Sequence, residues 1–318
     1  MKKLVHNALY YEGRKTKEMI FMPKEIKVAL IGLDTSHTIE FARRIQAADC
    51  PPEHKITGLV VNACLRFETP FQKEDGLNAR QKQLEGWGIK VTTDFDEAVK
   101  GCDAIMIEIN DPSYHLEYFK KCSVLGKPIF LDKPLADNME NGLEIVRLAK
   151  ENKINAISAS PLRFDANLIK ACGELPNPTQ VNVYGPLGIA PAGSSIVWYG
   201  VHAFEMLEKA IGKGAACITV RTDGAGVVAI VDYPDKRRGV VELTKGAWVY
   251  GGTLRDSKAA VSYLVAGGTF YTSLMKDVEK FFRTGEANFS LEDTVEVMAM
   301  LDAAERSFKS GRTETVYR

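Results

Sequence analysis

The chain carries no net charge, no closely spaced cysteine pair and no long apolar run. Each absence removes a class of function. Lys and Arg together number 41, as do Asp and Glu, so neither nucleic acid nor an anionic membrane is the expected partner. The six cysteines, Cys50, Cys64, Cys102, Cys122, Cys172 and Cys217, form no Cys-x-x-Cys pair. They read as reduced thiols of a cytoplasmic protein, mostly core filler, and no metal site is expected. No stretch approaches the ~18–20 apolar residues of a membrane span. Residues 1–18 are basic and polar, without the apolar centre of a signal peptide. Met22 stands just before the first strand signal and is a candidate start, so residues 1–24 are read as an extension. There is no internal repeat and no low-complexity linker.

What is present suits two globular domains: 318 residues, 45% hydrophobic and 26% charged. From Glu25 strands and helices alternate. Ile26–Leu33 is a continuous apolar run of the kind buried on both sheet faces, and His37–Ala47 follows as a helix. Further strands are expected at Ile56–Val61, Ile89–Thr92, Ala104–Ile109, Pro128–Leu131 and Asn155–Ala159. Arg66–Trp87 reads as loop plus helix and Phe95–Val99 as a helical turn. Tyr114–Leu125, closed by Gly126, and Met139–Glu151 read as helices. This order predicts a doubly wound parallel sheet over residues 25–160. Beyond Ser160, strands follow one another at Val181–Tyr184, Ala216–Arg221, Gly226–Asp232, Gly239–Leu243, Ala247–Thr253 and Ala259–Leu264. One helix interrupts them at Val201–Ile211; Phe270–Arg283 and Leu291–Ser310 close the chain. Residues 161–318 are therefore expected to form an α+β domain with an open, largely antiparallel sheet.

Ligands of open α/β sheets bind at the carboxyl ends of the strands. The first such end reads Gly32-Leu33-Asp34-Thr35-Ser36-His37. Of the Gly-x-Gly-x-x-Gly fingerprint only the first glycine is kept. Asp34 stands at the second and His37 at the third. A carboxylate at Asp34 would repel a pyrophosphate if it pointed inward; otherwise it can cap the helix. Thr35, Ser36 and His37 can donate to phosphate at the helix N-terminus. A tight turn without ligand fits this motif equally well. At the expected end of the second strand stands Asn62, able to bond a ribose hydroxyl, with Arg66 placed for a 2′-phosphate. NAD and NADP both remain open.

The stretch Gly126-Lys127-Pro128-Ile129-Phe130-Leu131-Asp132-Lys133-Pro134-Leu135 places a lysine just past the fifth strand, where the nicotinamide half of a cofactor would lie. Lys-Pro restricts the backbone, with a cis bond as one option. Such a turn can hold an ammonium in place; a surface lysine before a proline is the plainer reading. Cys102-Asp103-Ala104-Ile105-Met106-Ile107, His115, Gly126-Lys127-Pro128 and Asp132-Lys133-Pro134-Leu135-Ala136 together resemble the Gfo/Idh/MocA oxidoreductases, the glucose–fructose oxidoreductase and inositol dehydrogenase group. The last motif usually reads Glu-Lys-Pro there. The resemblance runs from about Ile26 to the end, through Ser290-Leu291-Glu292-Asp293 and Ser310-Gly311.

That resemblance implies a Rossmann domain and an α+β domain whose open sheet mediates oligomers, a dimer or tetramer. It implies hydride transfer between NAD or NADP and a hydroxyl or carbonyl of a small molecule, often a sugar or polyol. The family lysine maps onto Lys133. The family's Asp-x-Gly-x-His maps onto Trp198-Tyr199-Gly200-Val201-His202, with Trp198 in place of the aspartate. On this reading Lys133 orients the substrate oxygen and His202 is the general acid/base. Tyr199 is an auxiliary proton donor or a packed aromatic, and Trp198 stacks on a sugar or fills the pocket. Asn110 and His115, past the fourth strand, join the cofactor contacts, His115 by ordering the loop. Arg163 binds substrate or forms an interdomain ion pair. Two rival readings are a catalytically silent binding protein on the same fold and an NAD-dependent glycosidase without net redox change.

Overall fold

In the computed structural model, which describes residues 25–317, the apolar run Ile26–Ile31 forms strand β1, its last four residues buried. The expected extension at 1–24 lies outside the described residues. Thr35 caps helix α1 (Ser36–Gln46) by accepting from the His37 N–H, and Phe41, Ala42 and Ile45 turn inward. Strand β2 (Leu59–Leu65) starts three residues later than its apolar pattern suggests. Gly58 at φ +87 breaks the extended run, and the Ile56 N–H is taken by the Arg44 carbonyl. There follow α2 (Glu74–Gly86), β3 (Lys90–Thr92), α3 (Phe95–Val99), β4 (Ala104–Ile107), α4 (His115–Ser123), β5 (Ile129–Leu131), α5 (Met139–Glu151) and β6 (Ala156–Ser158). Helix α4 stops two residues early, and Gly126 instead supplies a positive φ in the turn toward β5. Asn138 caps α5 by accepting from the Asn141 N–H.

The six strands lie in the order β3-β2-β1-β4-β5-β6, all parallel. The order reverses between β1 and β4, which opens a crevice at their carboxyl ends.

The second half begins with α6 (Ala166–Glu174), which the strand pattern hid. Asp165 caps it by accepting from Asn167 and Leu168. Then come β7 (Gln180–Pro186), α7 (Ser195–Trp198), α8 (Val201–Ile211), β8 (Cys217–Thr222), β9 (Gly226–Asp232), β10 (Arg238–Thr244), β11 (Gly251–Arg255), β12 (Ala260–Leu264), α9 (Phe270–Thr284), α10 (Leu291–Ser310) and β13 (Glu314–Thr315). The sheet runs β12-β11-β7-β10-β9-β8-β13 and is antiparallel except where β10 pairs with β7. Strand β11 begins at Gly251, not at Ala247; the preceding Trp248 and Tyr250 line a cleft instead.

The two halves share their cores. Ile105, Ile107 and Leu131 of the parallel sheet belong to one apolar cluster with Phe204, Met298 and Leu301. On the other face Leu30, Phe41 and Phe130 pack with Leu274, Val278 and Phe281 of α9. Helix α10, started by a Ser290–Asp293 capping box, bonds back to the parallel sheet through Thr294 Oγ1, which donates to the Ser158 carbonyl at 2.6 Å. Among the described residues no helix is long and apolar enough to cross a membrane.

Candidate active site

The turn after β1 lies against the end of β4. Gly32 has φ +109, and a Cβ there would sit 2.3 Å from the Glu108 carbonyl oxygen. Only glycine permits that approach. Gly32→Ala is expected to destabilise the fold by about 2–4 kcal/mol, combining backbone strain with a clash. A lowered denaturant midpoint checks this; an unchanged one would mean the turn yields freely.

Asp34 neither faces the crevice mouth nor caps α1, contrary to both expectations. Its buried carboxylate accepts from the Asn110 N–H (2.8 Å), the Asp111 N–H (3.3 Å) and the Thr69 hydroxyl (2.7 Å). Three loops at the sheet edge are tied together by this one side chain, and burial raises its pKa. The cap is Thr35. Exposed Ser36 begins the helix, and Arg80 of α2 donates to the Leu33 carbonyl at 3.0 Å over the same turn. The start of an 11-residue helix, two hydroxyls and a guanidinium thus surround the place where a pyrophosphate would rest. With Asp34 drawn away to its own donors, these residues fit such a group.

His37 is not a free phosphate donor. Its Nδ1 lies 2.9 Å from both carboxylate oxygens of Asp132. Burial alone would raise the Asp132 carboxyl, but the charges of His37 and Lys133 and the His37 hydrogen bond hold it at about 2. Lys133 follows β5, is only 3% exposed, and is joined to Pro134 by a cis bond. Its ammonium makes no hydrogen bond or ion pair with any described residue, yet Lys133 lines a cleft between the two halves. Close by, Glu108 is fully buried; desolvation and then the Asp132 charge push its carboxyl well above the usual range.

The facing wall comes from the second half. His202 stands in the first turn of α8, with Nδ1 2.7 Å from the Ser160 hydroxyl. Burial first, then the Lys133 charge, hold its pKa well below the ordinary 6.5. It is therefore a neutral imidazole at physiological pH. Tyr199 lies beside it, ring centroids 5.4 Å apart, and burial raises its phenol. Trp198 donates its indole N–H to Asn110 Oδ1 at 2.8 Å and packs on Phe71.

These residues enclose a cleft of about 620 Å³. Thr35, Ser36, Arg80, Asn110 and Lys133 form one side; Trp198, Tyr199, His202, Trp248 and Tyr250 form the other.

Four sequence candidates lie elsewhere. Asn62 sits inside β2, which continues to Leu65, and its amide donates to the Lys100 carbonyl. Arg66 takes that end, bonded to Gln81 at 2.6 Å, in a separate depression with Glu68 and Glu74. His115 is fully buried and joins the Ile109 carbonyl to the segment at Leu135, so it orders the loop without reaching the cleft. Arg163 is an ion-pair residue, not a substrate contact. It pairs with Glu205 at 3.3 Å and more closely with Glu208. Sequence reasoning missed Arg80, Ser160, Tyr250 and Glu108. Only Glu108 carried a signal, as a charge interrupting the buried run Ala104–Ile109.

A parallel sheet reversing at β1 and β4, with a cleft at its carboxyl edge walled by a second sheet domain, defines the two-domain dinucleotide-binding class. Residues 26–158 match the model of the oxidoreductase family with an NAD-binding Rossmann fold, Gfo/Idh/MocA. No curated protein matches the chain in sequence. Among solved structures, apo scyllo-inositol dehydrogenase from Lactobacillus casei is 16% identical with a TM-score of 0.75, over 93% of this chain and 99% of that one. Myo-inositol 2-dehydrogenase from Lactobacillus plantarum is 15% identical, TM-score 0.75, over 92% and 100%. GenD2 from gentamicin A biosynthesis, in complex with NAD, is 14% identical, TM-score 0.75, over 99% and 100%. At such identities the likeness is one of fold.

Proposed function

We propose that this chain transfers hydride between NAD(P) and a hydroxyl-bearing or carbonyl carbon of a sugar, polyol or related small molecule. The observation that carries this reading is the meeting of Lys133 and His202 in one cleft. They come from opposite halves of the chain, beside a helix start suited to a pyrophosphate. The inositol dehydrogenases and NAD-bound GenD2 of like fold support it.

The bound nicotinamide would supply hydride acceptance or donation. Thr35, Ser36 and Arg80 hold the cofactor's anionic centre. Lys133 donates to the substrate oxygen and fixes its direction. His202, neutral and steadied by Ser160, takes the hydroxyl proton during oxidation and returns it during reduction. Tyr199, protonated at neutral pH, is a second donor. Trp248 and Tyr250 offer aromatic walls to a ring.

His202→Ala is expected to lower kcat by about 10²–10⁴-fold, with cofactor affinity retained. A general base works deprotonated, and this imidazole is depressed. Activity in the wild type should thus fail only as pH drops well below 6.5. An acid limb at or above that value would remove His202 from the base role.

Titration with NADH and NADPH, followed by fluorescence, tests the whole reading. Saturable binding of at least one form is expected. Arg80→Ala should weaken it by roughly 10–100-fold, the worth of a charged hydrogen bond. Failure of both reduced and both oxidised forms to bind would overturn the enzyme reading in favour of a silent binding protein. A cytoplasmic homo-oligomer joined through the second sheet belongs to the same proposal, and light scattering checks the assembly.

A further inference from the structure

Behind the cleft floor lies a group of side chains that hydride transfer does not use. Glu108 follows β4, Asp132 follows β5 and His37 lies in the first turn after β1. These three strands are neighbours, so each delivers one residue to the same point of the sheet edge. A donor atom from each lies within 4.8 Å of the other two. The residues are 0%, 0% and 5% exposed. Both carboxylate oxygens of Glu108 are buried without a hydrogen-bond partner. A buried, unpartnered carboxylate is costly and calls for a missing proton, water or ion. Lys133 does not answer it, since its ammonium pairs with neither acid. A proton would neutralise one oxygen; a divalent ion engages all three residues at once.

We propose that His37, Glu108 and Asp132 bind a first-row divalent cation, zinc or manganese(II). One imidazole and two carboxylates suit these ions. No thiolate is present to select copper(I), and three donors are too few for calcium. Bonds of ~2.0–2.2 Å place donors about 3.4 Å apart, so small side-chain rotations close the site. Two carboxylates balance the ion's charge, which makes the neighbouring Lys133 tolerable. Three protein ligands leave a position for an oxygen from the cleft, which His37 and Lys133 both line. The sequence expectation of no metal rested on cysteine spacing. These donors are not cysteines, and His37 and Asp132 stand 95 positions apart.

The test measures metal directly and needs neither cofactor nor substrate, so it is independent of the proposed reaction. Protein purified without chelator or affinity metal is analysed by elemental mass spectrometry. It is then stripped with dipicolinate and titrated with Co²⁺, with the visible d–d spectrum as readout. About one zinc or manganese per chain and a saturable Co²⁺ spectrum are expected. Glu108→Gln and Asp132→Asn should each weaken Co²⁺ binding at least about 10-fold. If either variant fails to fold, the wild-type titration alone decides. Wild-type protein that carries almost no metal and develops no Co²⁺ spectrum would overturn the site and leave Glu108 holding a proton. Co²⁺ binding that both folded variants retain at full strength would overturn it as well.

Discussion

Replacing Lys133 by methionine is expected to lower kcat/KM by about 10²–10⁴-fold, the usual range for removing a positioned charge or proton donor. Cofactor affinity should stay within a few-fold. Lys133 is 3% exposed, so its charge acts in a medium of low effective dielectric, where an ammonium is worth far more to a developing oxyanion than in water. No described residue holds that ammonium by hydrogen bond or ion pair, which leaves its donors for a ligand. Methionine keeps the unbranched stem of the side chain and removes the ammonium, its charge and its donors together. The measurement is steady-state turnover on a panel of inositols and aldoses, with NADH fluorescence as the control for binding. Turnover within about threefold of wild type would sink the role, and with it the central argument for the reaction.

The second large effect concerns stability. Arg163→Met is expected to cost about 3–5 kcal/mol at pH 8, because it strands two carboxylates in the interior. Arg163, Glu205 and Glu208 are 7%, 2% and 4% exposed. Burial, opposed by Arg163, pushes the Glu205 carboxyl up to about 7 from 4.5. In that interval the folded chain binds more protons than the unfolded one. This group's contribution to stability therefore falls as pH rises from about 4.5 to about 7. Burial raises Glu208 as well. Without Arg163 both acids rise further, so the loss should be smaller near pH 5 and larger at pH 8. Urea unfolding at the two pH values reads this. An equal loss at both would mean that the guanidinium contributes packing rather than charge.

Near-neighbour physics was legible in the sequence. The helices Met139–Glu151, Val201–Ile211 and Leu291–Ser310 lie where pattern and caps put them, and the apolar run Ile26–Leu33 supplies β1, which ends two residues sooner at Ile31. Gly32 was marked by its place between strand and helix. Lys133 was marked by its place after an apolar strand, and His202 by its place at a helix start. Where local signals competed, the reading slipped. Gly58 delayed the start of β2, and the strand ran on past Asn62 to Leu65. Asp165 offered a cap for α6 that the surrounding strand pattern masked.

The sequence by itself thus determined the alternation of elements, the parallel first sheet and the edge on which the lysine turn lies. These follow from periodicity, capping and right-handed crossovers, which act over one or two elements. The tertiary structure alone decided which side chains share that edge. Asp34 found three donors on two distant loops, and His37 was drawn to Asp132. Glu108 was left beside them without a partner, and Arg163 turned inward to two acids on α8. Such pairings depend on which strands become neighbours and on the high cost of burying an unmatched charge, and neither is encoded in local spacing.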